Sequence, residues 1–557
     1  MERWIKRTAL VTGASTGIGA AICRNLVKSG MNVVGCARNV QHIEEISDEL
    51  KGEAGSLLAV KCDLNNESDI LSMFGTIKSH YGGVDVCINN AGLAHAEPLL
   101  TGDTNKWREM FNVNVLAPSI CTREAVKSMQ EHEINDGHVI YINSLSGHRV
   151  IDLPEVHFFS ATKFAITSLV TGLRNELRRL KSDIKVTAIS PGIVESEFQY
   201  RLYPDKHDLV TYMFKKIKVL EPQDIADAVV FTLQTPKHCE VNDILLKSTE
   251  QRPKISCDLT LVNLNENHSL RQQAAENQLS NVKEICHTRE SKPGQRISQQ
   301  QQHKLFTMDK WVKRTALVTG ASCGIGATIC RKLVKSGMNV VGCARNVQRI
   351  QEISDELKGE AGSLLAVKCD LNNESDILSM FGTIKAHYGG VDVCINNAGL
   401  AHAEPLLTGD TNKWREMFSV NVLALSICTR ESFKSMEERN VTDGHFIHIN
   451  SMSGHRVVDS PDVHFYSATK FAVTSLTKGL RNELRRLKSD IRVTSISPGL
   501  VDTEFVPRLF PDRKEVPNRD FKILESGDVA DAVLFALQVP KHCEINEIMM
   551  RPTKQGY

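Results

Sequence analysis

The chain repeats itself. "RTALVTGAS" stands at residues 7–15 and again at 314–322, and "CINNAGLAHAEPLLTGDTNKWREMF" stands at 87–111 and at 394–418, a shift of 307 positions. The shift holds through "SPG" at 190–192 and 497–499 and is 304 by "PKHCE" at 236–240 and 540–544, so the second copy lacks three residues in between. A period this long is no solenoid repeat. It marks a duplicated domain of about 250 residues, the size of one large α/β unit. The expected layout is a first domain at 1–250, a joint at 251–307 and a second domain at 308–557.

The joint reads unlike its neighbours. "NLNENHSLRQQAAENQLSNVKE" and "SKPGQRISQQQQHK" are polar, Gln-rich and poor in aromatics, a composition expected to stay disordered. Met308 opens "MDKWVKRTALVTG" as Met1 opens "MERWIKRTALVTG", as at a former start site. A natural fusion and a merged pair of neighbouring genes both account for it.

Within each copy, apolar β-rich runs alternate with helical stretches. The runs "TALVTG", "MNVVGCA", "SLLAVKCD", "VDVCINN", "HVIYINS" and "IKVTAIS" are nearly continuous in apolar residues, and stretches such as "GAAICRNLVKSG" and "EEISDELKG" separate them. Continuous apolar strands with intervening helices predict a parallel sheet covered on both faces. The expected fold class is α/β: two tandem doubly wound parallel-sheet domains of Rossmann type.

The first strand of each copy runs into a glycine-rich turn. Gly13, Gly17 and Gly19 follow TGxxxGxG, with Gly320, Gly324 and Gly326 in the second copy. Such glycines let the backbone approach a pyrophosphate, which then sits at a helix N-terminus. The second strand ends in Ala37–Arg38 and Ala344–Arg345, where sheets that select NAD usually carry an acid. Arginine suits a 2′-phosphate, so NADP(H) is the expected cofactor. Asp63 and Asp370, at the end of the third strand, are placed to meet the adenine edge.

Composition narrows the partners. Sixty-seven Lys and Arg against 66 Asp and Glu leave a net charge of +1, with no long basic or acidic block. Nucleic acid and anionic membranes are not expected as main partners. No run approaches the ~18 apolar residues of a membrane span. The opening segment has no apolar core of signal-peptide length. Fifteen cysteines, an odd number, many of them within apolar strand runs, are expected to be buried free thiols in the reducing cytoplasm. No metal site is expected.

Further motifs accompany the glycine turns: "NNAG" at 89–92 and 396–399, "VNV" at 113–115 and 420–422, and Ser-x-x-Gly at 144–147 and 451–454. "SPG" and the near-repeat "FFSATK" at 158–163 and "FYSATK" at 465–470 complete the set. Together they resemble the short-chain dehydrogenase/reductase family, across both copies nearly end to end. The resemblance implies that Asn421, Ser451, Tyr466 and Lys470 are the catalytic residues, with Asn114, Ser144, Phe159 and Lys163 as the degenerate set in the first copy. It also implies cofactor contacts from Gly320, Ser322, Gly324, Ile325, Gly326, Arg345, Asp370, Asn397, Ala398, Gly399, Tyr466, Lys470, Pro498 and Gly499. In the first copy the corresponding contacts are Gly13, Gly17, Ile18, Gly19, Arg38, Asp63, Asn90 and Lys163. The implied reaction is NADP-dependent reduction of carbonyls, with 17-keto and 3-keto steroids as substrates.

The catalytic reading turns on one hydroxyl. When a hydride reaches a carbonyl carbon, the oxygen needs a proton, and a phenol can give it. The ammonium of Lys470, one helical turn from Tyr466, is expected to lower the phenol's pKa from ~10. Ser451 is expected to stabilise the developing oxyanion, and Asn421 to anchor a water between Lys470 and solvent. Phe159 keeps the ring without the hydroxyl. The first copy is therefore expected to bind cofactor without turnover; Tyr141, Tyr200 and Tyr203 are the tyrosines that could reach the pocket from elsewhere, but nothing local supports them.

Residues 193–222 and 500–526 are expected to close over the substrate, with Phe505, Leu509 and Phe510 as candidate walls. The shared "GLRNELRRLKSDI" predicts the same pairing surface on each half, made by the Tyr-x-x-x-Lys helix and the helix before it. A 56-residue joint at 252–307 reaches about 40 Å, enough for an internal pseudo-dimer; a homo-oligomer is the other arrangement. Against the ketosteroid reductase stand a catalytically idle NADP(H)-binding scaffold and a reductase of non-steroid carbonyls or quinones.

Overall fold

The computed structural model describes residues 1–251, 308–510 and 522–555. Apart from Gln251, the expected joint at 251–307 lies outside the described residues.

Each copy builds a seven-stranded parallel sheet. In the first, β1 (Thr8–Thr12), β2 (Asn32–Ala37), β3 (Ser56–Lys61), β4 (Val86–Asn89), β5 (His138–Ile142), β6 (Lys185–Pro191) and β7 (Asp243–Leu246) lie in the order 3-2-1-4-5-6-7. In the second, β8 (Thr315–Thr319), β9 (Asn339–Ala344), β10 (Ser363–Lys368), β11 (Val393–Asn396), β12 (His445–Ile449) and β13 (Arg492–Pro498) take the same places. A two-residue pair, β14 (Val501–Asp502) with β15 (Leu524–Glu525), stands apart, and β16 (Glu547–Met550) closes the edge. The order reverses between β1 and β4, where Ala9 pairs with Val86 on one side and Val33 on the other. Such a switch point opens a crevice at the carboxyl ends of the strands.

The apolar runs became strands because helices cover both faces. All five residues of β1, β5, β8 and β12 are buried. The edge strands β7 and β16 are the exception. The apolar-run reading passed over "DILL" and "EIMM" because each is four residues long and half exposed, Leu245 by 55% and Met549 by 58%.

The thiols sit where the strand runs put them. Thirteen cysteines are described, all free and ten of them buried. Burial pushes the Cys23 thiol up to about 12, beyond the reach of ordinary thiol chemistry.

The two copies meet along the helices His157–Arg179 and His464–Arg486, and one apolar core contains residues of both. The approach is close: a Cβ on Gly172 would lie 2.8 Å from His464 Cγ, and one on Gly479 2.9 Å from His157 Cβ. Phe111 stacks on Phe418 with ring centroids 3.4 Å apart. The helix before each of these long helices joins in through an arginine. Arg123 donates to Gly409 O at 2.9 Å, and Arg430 donates to Gly102 O at 2.8 Å.

Candidate active site

The glycine turns shape a cradle at the crevice. Gly320 and Gly324 hold φ of +67° and +53°, which a side chain would strain. A Cβ on Gly326 would come within 2.3 Å of Gly320 O and 2.5 Å of Asn397 Nδ2, so only glycine fits. Asn397 Nδ2 donates to Thr319 O at 2.9 Å and Gly320 O at 3.2 Å, and the Asn397 and Ala398 amides both donate to Thr319 Oγ1 at 3.0 Å. The "NNAG" segment thus props the turn from behind and leaves the helix N-terminus at Gly324 facing the crevice, with Ser322 and Ile325 beside it. A nicotinamide dinucleotide fits this cradle, since its pyrophosphate needs close backbone approach and free N–H groups.

The neighbouring strand ends complete the rim. Asp370 Oδ1 accepts from the Asn372 amide at 3.0 Å, which fixes the turn after β10. Pro498 ends β13 beside Met550, and the Gly499 amide donates to Met550 O at 2.8 Å. Arg345 is exposed, and its Nη1 lies 3.9 Å from Glu416 Oε1. Exposed pairs of this kind are worth little, so the guanidinium is free to turn to a phosphate.

In the first copy a cavity of about 710 Å³ gathers Gly13, Gly17, Ile18, Gly19, Arg38, Asp63, Asn90, Ser144, Phe159 and Lys163 on one wall system. Asn114 stands behind it. The motifs, scattered over 150 positions, converge because each follows a strand of the same sheet.

Around the 466 position the two copies differ by little more than an oxygen atom. Lys470 Nζ lies 5.8 Å from the Tyr466 ring centroid, and Lys163 Nζ lies 5.7 Å from that of Phe159. Phe505 packs on Tyr466 at 5.5 Å, and Phe198 on Phe159 at 5.5 Å. Each lysine donates to a strand carbonyl at 3.1 Å, Lys470 to Ile449 and Lys163 to Ile142. Ser451 and Ser144 each cap a short turn, accepting from the Ser453 and Ser146 amides at 3.1 Å.

One expectation is corrected here. Burial pushes the Tyr466 phenol up to about 12, against the pull of its hydrogen bond with Ser451, and pushes the Lys470 ammonium down to about 8. The dry pocket disfavours phenolate and ammonium alike, so the phenol is not drawn toward neutrality. Asn421 is held by the protein around it. It sits on a π-helical turn, Ser419–Ala424, a widening often found at working sites. Its Nδ2 donates to Leu400 O at 2.8 Å and Thr469 Oγ1 at 3.0 Å, and its Oδ1 accepts from Leu400 N at 2.7 Å. Both N–H donors are thus taken by the protein. The residue clamps the loop after Gly399 to the Tyr466 helix.

His455, not singled out from sequence, and Tyr203, named there only as a distant tyrosine, also belong to the site. His455 Nε2 lies 2.8 Å from Glu547 Oε1 and 3.0 Å from Ser497 Oγ, tying the turn after Ser451 to β13 and β16. Tyr203 lines the first-copy cavity, where the second copy carries Phe510. The two copies have exchanged hydroxyls, Phe159 with Tyr203 in one and Tyr466 with Phe510 in the other. Burial, and then the Glu155 carboxylate, push the Tyr203 phenol above its ordinary value. Tyr141, by contrast, is buried on Thr122 Oγ1 at 2.6 Å, and Tyr200 reaches Thr211 at 3.2 Å.

The family pattern described as short chain dehydrogenase matches residues 7–207 and again residues 314–514. The chain belongs to the short-chain dehydrogenase family, with two family domains in tandem. It is an oxidoreductase of the dehydrogenase/reductase kind. It is similar, at 54% identity over 253 residues, to Dehydrogenase/reductase SDR family member 11 of Homo sapiens, covering 45% of this chain and 97% of that protein. It is 42% identical over 252 residues to Farnesol dehydrogenase of Aedes aegypti, covering 45% and 100%. Among solved structures, serine dehydrogenase complexed with NADP+ is 33% identical, with a TM-score of 0.40, covering 44% of this chain and 96% of that one. No helix among the described residues is long and apolar enough to cross a membrane.

Proposed function

We propose that the chain reduces ketone or aldehyde carbonyls with NADPH through its second copy, with ketosteroids as substrates, and that the first copy binds the cofactor without turnover. One observation carries the reading: the two sites keep the same ring, lysine, serine and asparagine geometry, and the hydroxyl at 466 is the part that only the second has.

Bound in the cradle, the nicotinamide supplies a hydride to the carbonyl carbon. Tyr466 gives its proton to the oxygen. At about 12 the phenol stays protonated across the working range, which suits reduction. Ser451, hydrogen-bonded with Tyr466, also faces the developing oxyanion. Lys470 offsets the tyrosinate charge as the proton leaves. Arg345, in place of an acid, favours the 2′-phosphate. Phe505 and Leu509 offer an apolar wall, and the likeness to a farnesol dehydrogenase supports an apolar substrate. Buried free thiols support the cytoplasm.

Because Lys470 loses its proton at about 8, the turnover number for reduction falls as pH rises through that value. A flat profile between about pH 6 and about pH 10 removes Lys470 from the mechanism. The overall reading is tested by NADPH oxidation against a panel of ketosteroids, long-chain aldehydes and quinones. Turnover of none of them leaves the idle scaffold. Turnover of quinones or aldehydes alone replaces the steroid assignment.

A further inference from the structure

We propose that the first copy positions the proton donor of the second, through the carboxylate of Glu176. This rests on the reading of Tyr466 as that donor.

Glu176 belongs to the first copy and is 3% exposed. Its Oε1 accepts from His464 Nδ1 at 2.8 Å and from the Leu406 amide at 2.9 Å, and its Oε2 accepts from the Leu407 amide at 3.2 Å. All three donors lie in the second copy. His464 is the first residue of the Tyr466 helix, two positions before Tyr466. Leu406 and Leu407 lie in the loop that leaves Gly399, and a Cβ on Gly399 would be 3.8 Å from Lys470 Nζ. One carboxylate from the silent half therefore ties together two segments that bound the working site. A buried carboxylate persists only where its oxygens are met by donors, so the three bonds come as a set.

A second strut runs beside it. Arg123 of the first copy donates to Gly409 O at 2.9 Å and Thr411 Oγ1 at 3.0 Å and lies 5.5 Å over the Trp414 ring. Trp414 stacks on Phe465 at 5.2 Å and 8°, and Phe465 precedes Tyr466. Gly172, with no room for a Cβ against His464, removes any slack between the helices.

The same arrangement runs in reverse. Glu483 accepts from His157 Nδ1 at 2.7 Å, Leu99 N at 2.9 Å and Leu100 N at 3.1 Å, and it too is 3% exposed. That clamp holds the start of the Phe159 helix, which carries no proton donor. The symmetry supplies a control: two equivalent clamps, of which one bears on chemistry.

The test compares Glu176→Gln with Glu483→Gln in the full chain, both nearly isosteric. A carboxylate only accepts, whereas an amide offers one acceptor and two donors, so each variant leaves at least one donor of its clamp unmet. The melting temperatures are expected to fall by similar amounts. The turnover number for carbonyl reduction is expected to fall about 10-fold or more in Glu176→Gln alone, since small displacements of a reacting group carry large rate penalties, while KM for NADPH stays unchanged in both. Gly172→Ala against Gly479→Ala repeats the comparison through steric displacement of His464 or His157. Equal turnover in both members of each pair, or equal losses, overturns the positioning role while leaving Tyr466 as donor. Full turnover in Tyr466→Phe overturns the donor assignment, and the positioning role falls with it.

Discussion

Tyr466→Phe lowers carbonyl turnover by about 10²–10⁴, the usual contribution of a general acid, and leaves NADPH affinity as it was. The substitution makes the second site a copy of the first. The ring still packs on Phe505, the helix start is still held by His464, and Lys470 still reaches Ile449. A nearly isosteric loss of one oxygen has little effect on packing, so stability should change little. The converse experiment is done in the silenced chain. Phe159→Tyr places a phenol 5.7 Å from Lys163, beside Ser144 and within the first-copy cavity, and should restore measurable turnover. Retention of more than about a tenth of the activity by Tyr466→Phe contradicts the donor assignment. Tyr203 is then the group to examine, because its side chain lines the silent cavity. Tyr203→Phe in that background abolishes the residue of activity if it acts there.

Arg345→Asp shifts the cofactor preference of turnover from NADPH toward NADH by about 100-fold. A charge-assisted hydrogen bond is worth about 1.5–3 kcal/mol, or roughly 10- to 150-fold, and the new carboxylate adds repulsion against the 2′-phosphate. The guanidinium gives up little to reach the phosphate, since Glu416 is 3.9 Å away and the side chain is 66% exposed. Turnover reports the second copy alone, so the first copy's Arg38 does not blur the ratio of kcat/KM values. An unchanged ratio means that the 2′-phosphate is recognised elsewhere.

Much of this fold is written in local patterns. Six strands of each sheet announce themselves as apolar runs because both faces of a parallel sheet are covered. The motifs that meet in the crevice are legible because each sits at a fixed offset after its strand. The edge strands escape because pairing on one side and half exposure leave "DILL" and "EIMM" no distinctive pattern. Features that depend on distant packing are equally hidden. Glu176 lies in "GLRNELRRLKSDI", which reads as a charged helix face, yet it is buried and its hydrogen-bond donors come from the second copy. The Tyr203–Phe159 exchange needs the segment after "SPG" folded back over the site. The phenol's rise to about 12 comes from dehydration of the pocket, a property of the assembled walls and not of the lysine spacing.

The central claim is that two cofactor sites share one chemistry-bearing hydroxyl. It is tested by loading the full chain with NADPH to saturation, removing excess cofactor, and mixing with a large excess of a carbonyl substrate that the panel has identified. Titration of NADPH fluorescence should give two bound cofactors per chain. On mixing, one of the two should be oxidised in a fast phase, and the other only at the rate at which it leaves the first copy and enters the second. Oxidation of both in a single fast phase, or binding of one cofactor per chain, contradicts the account.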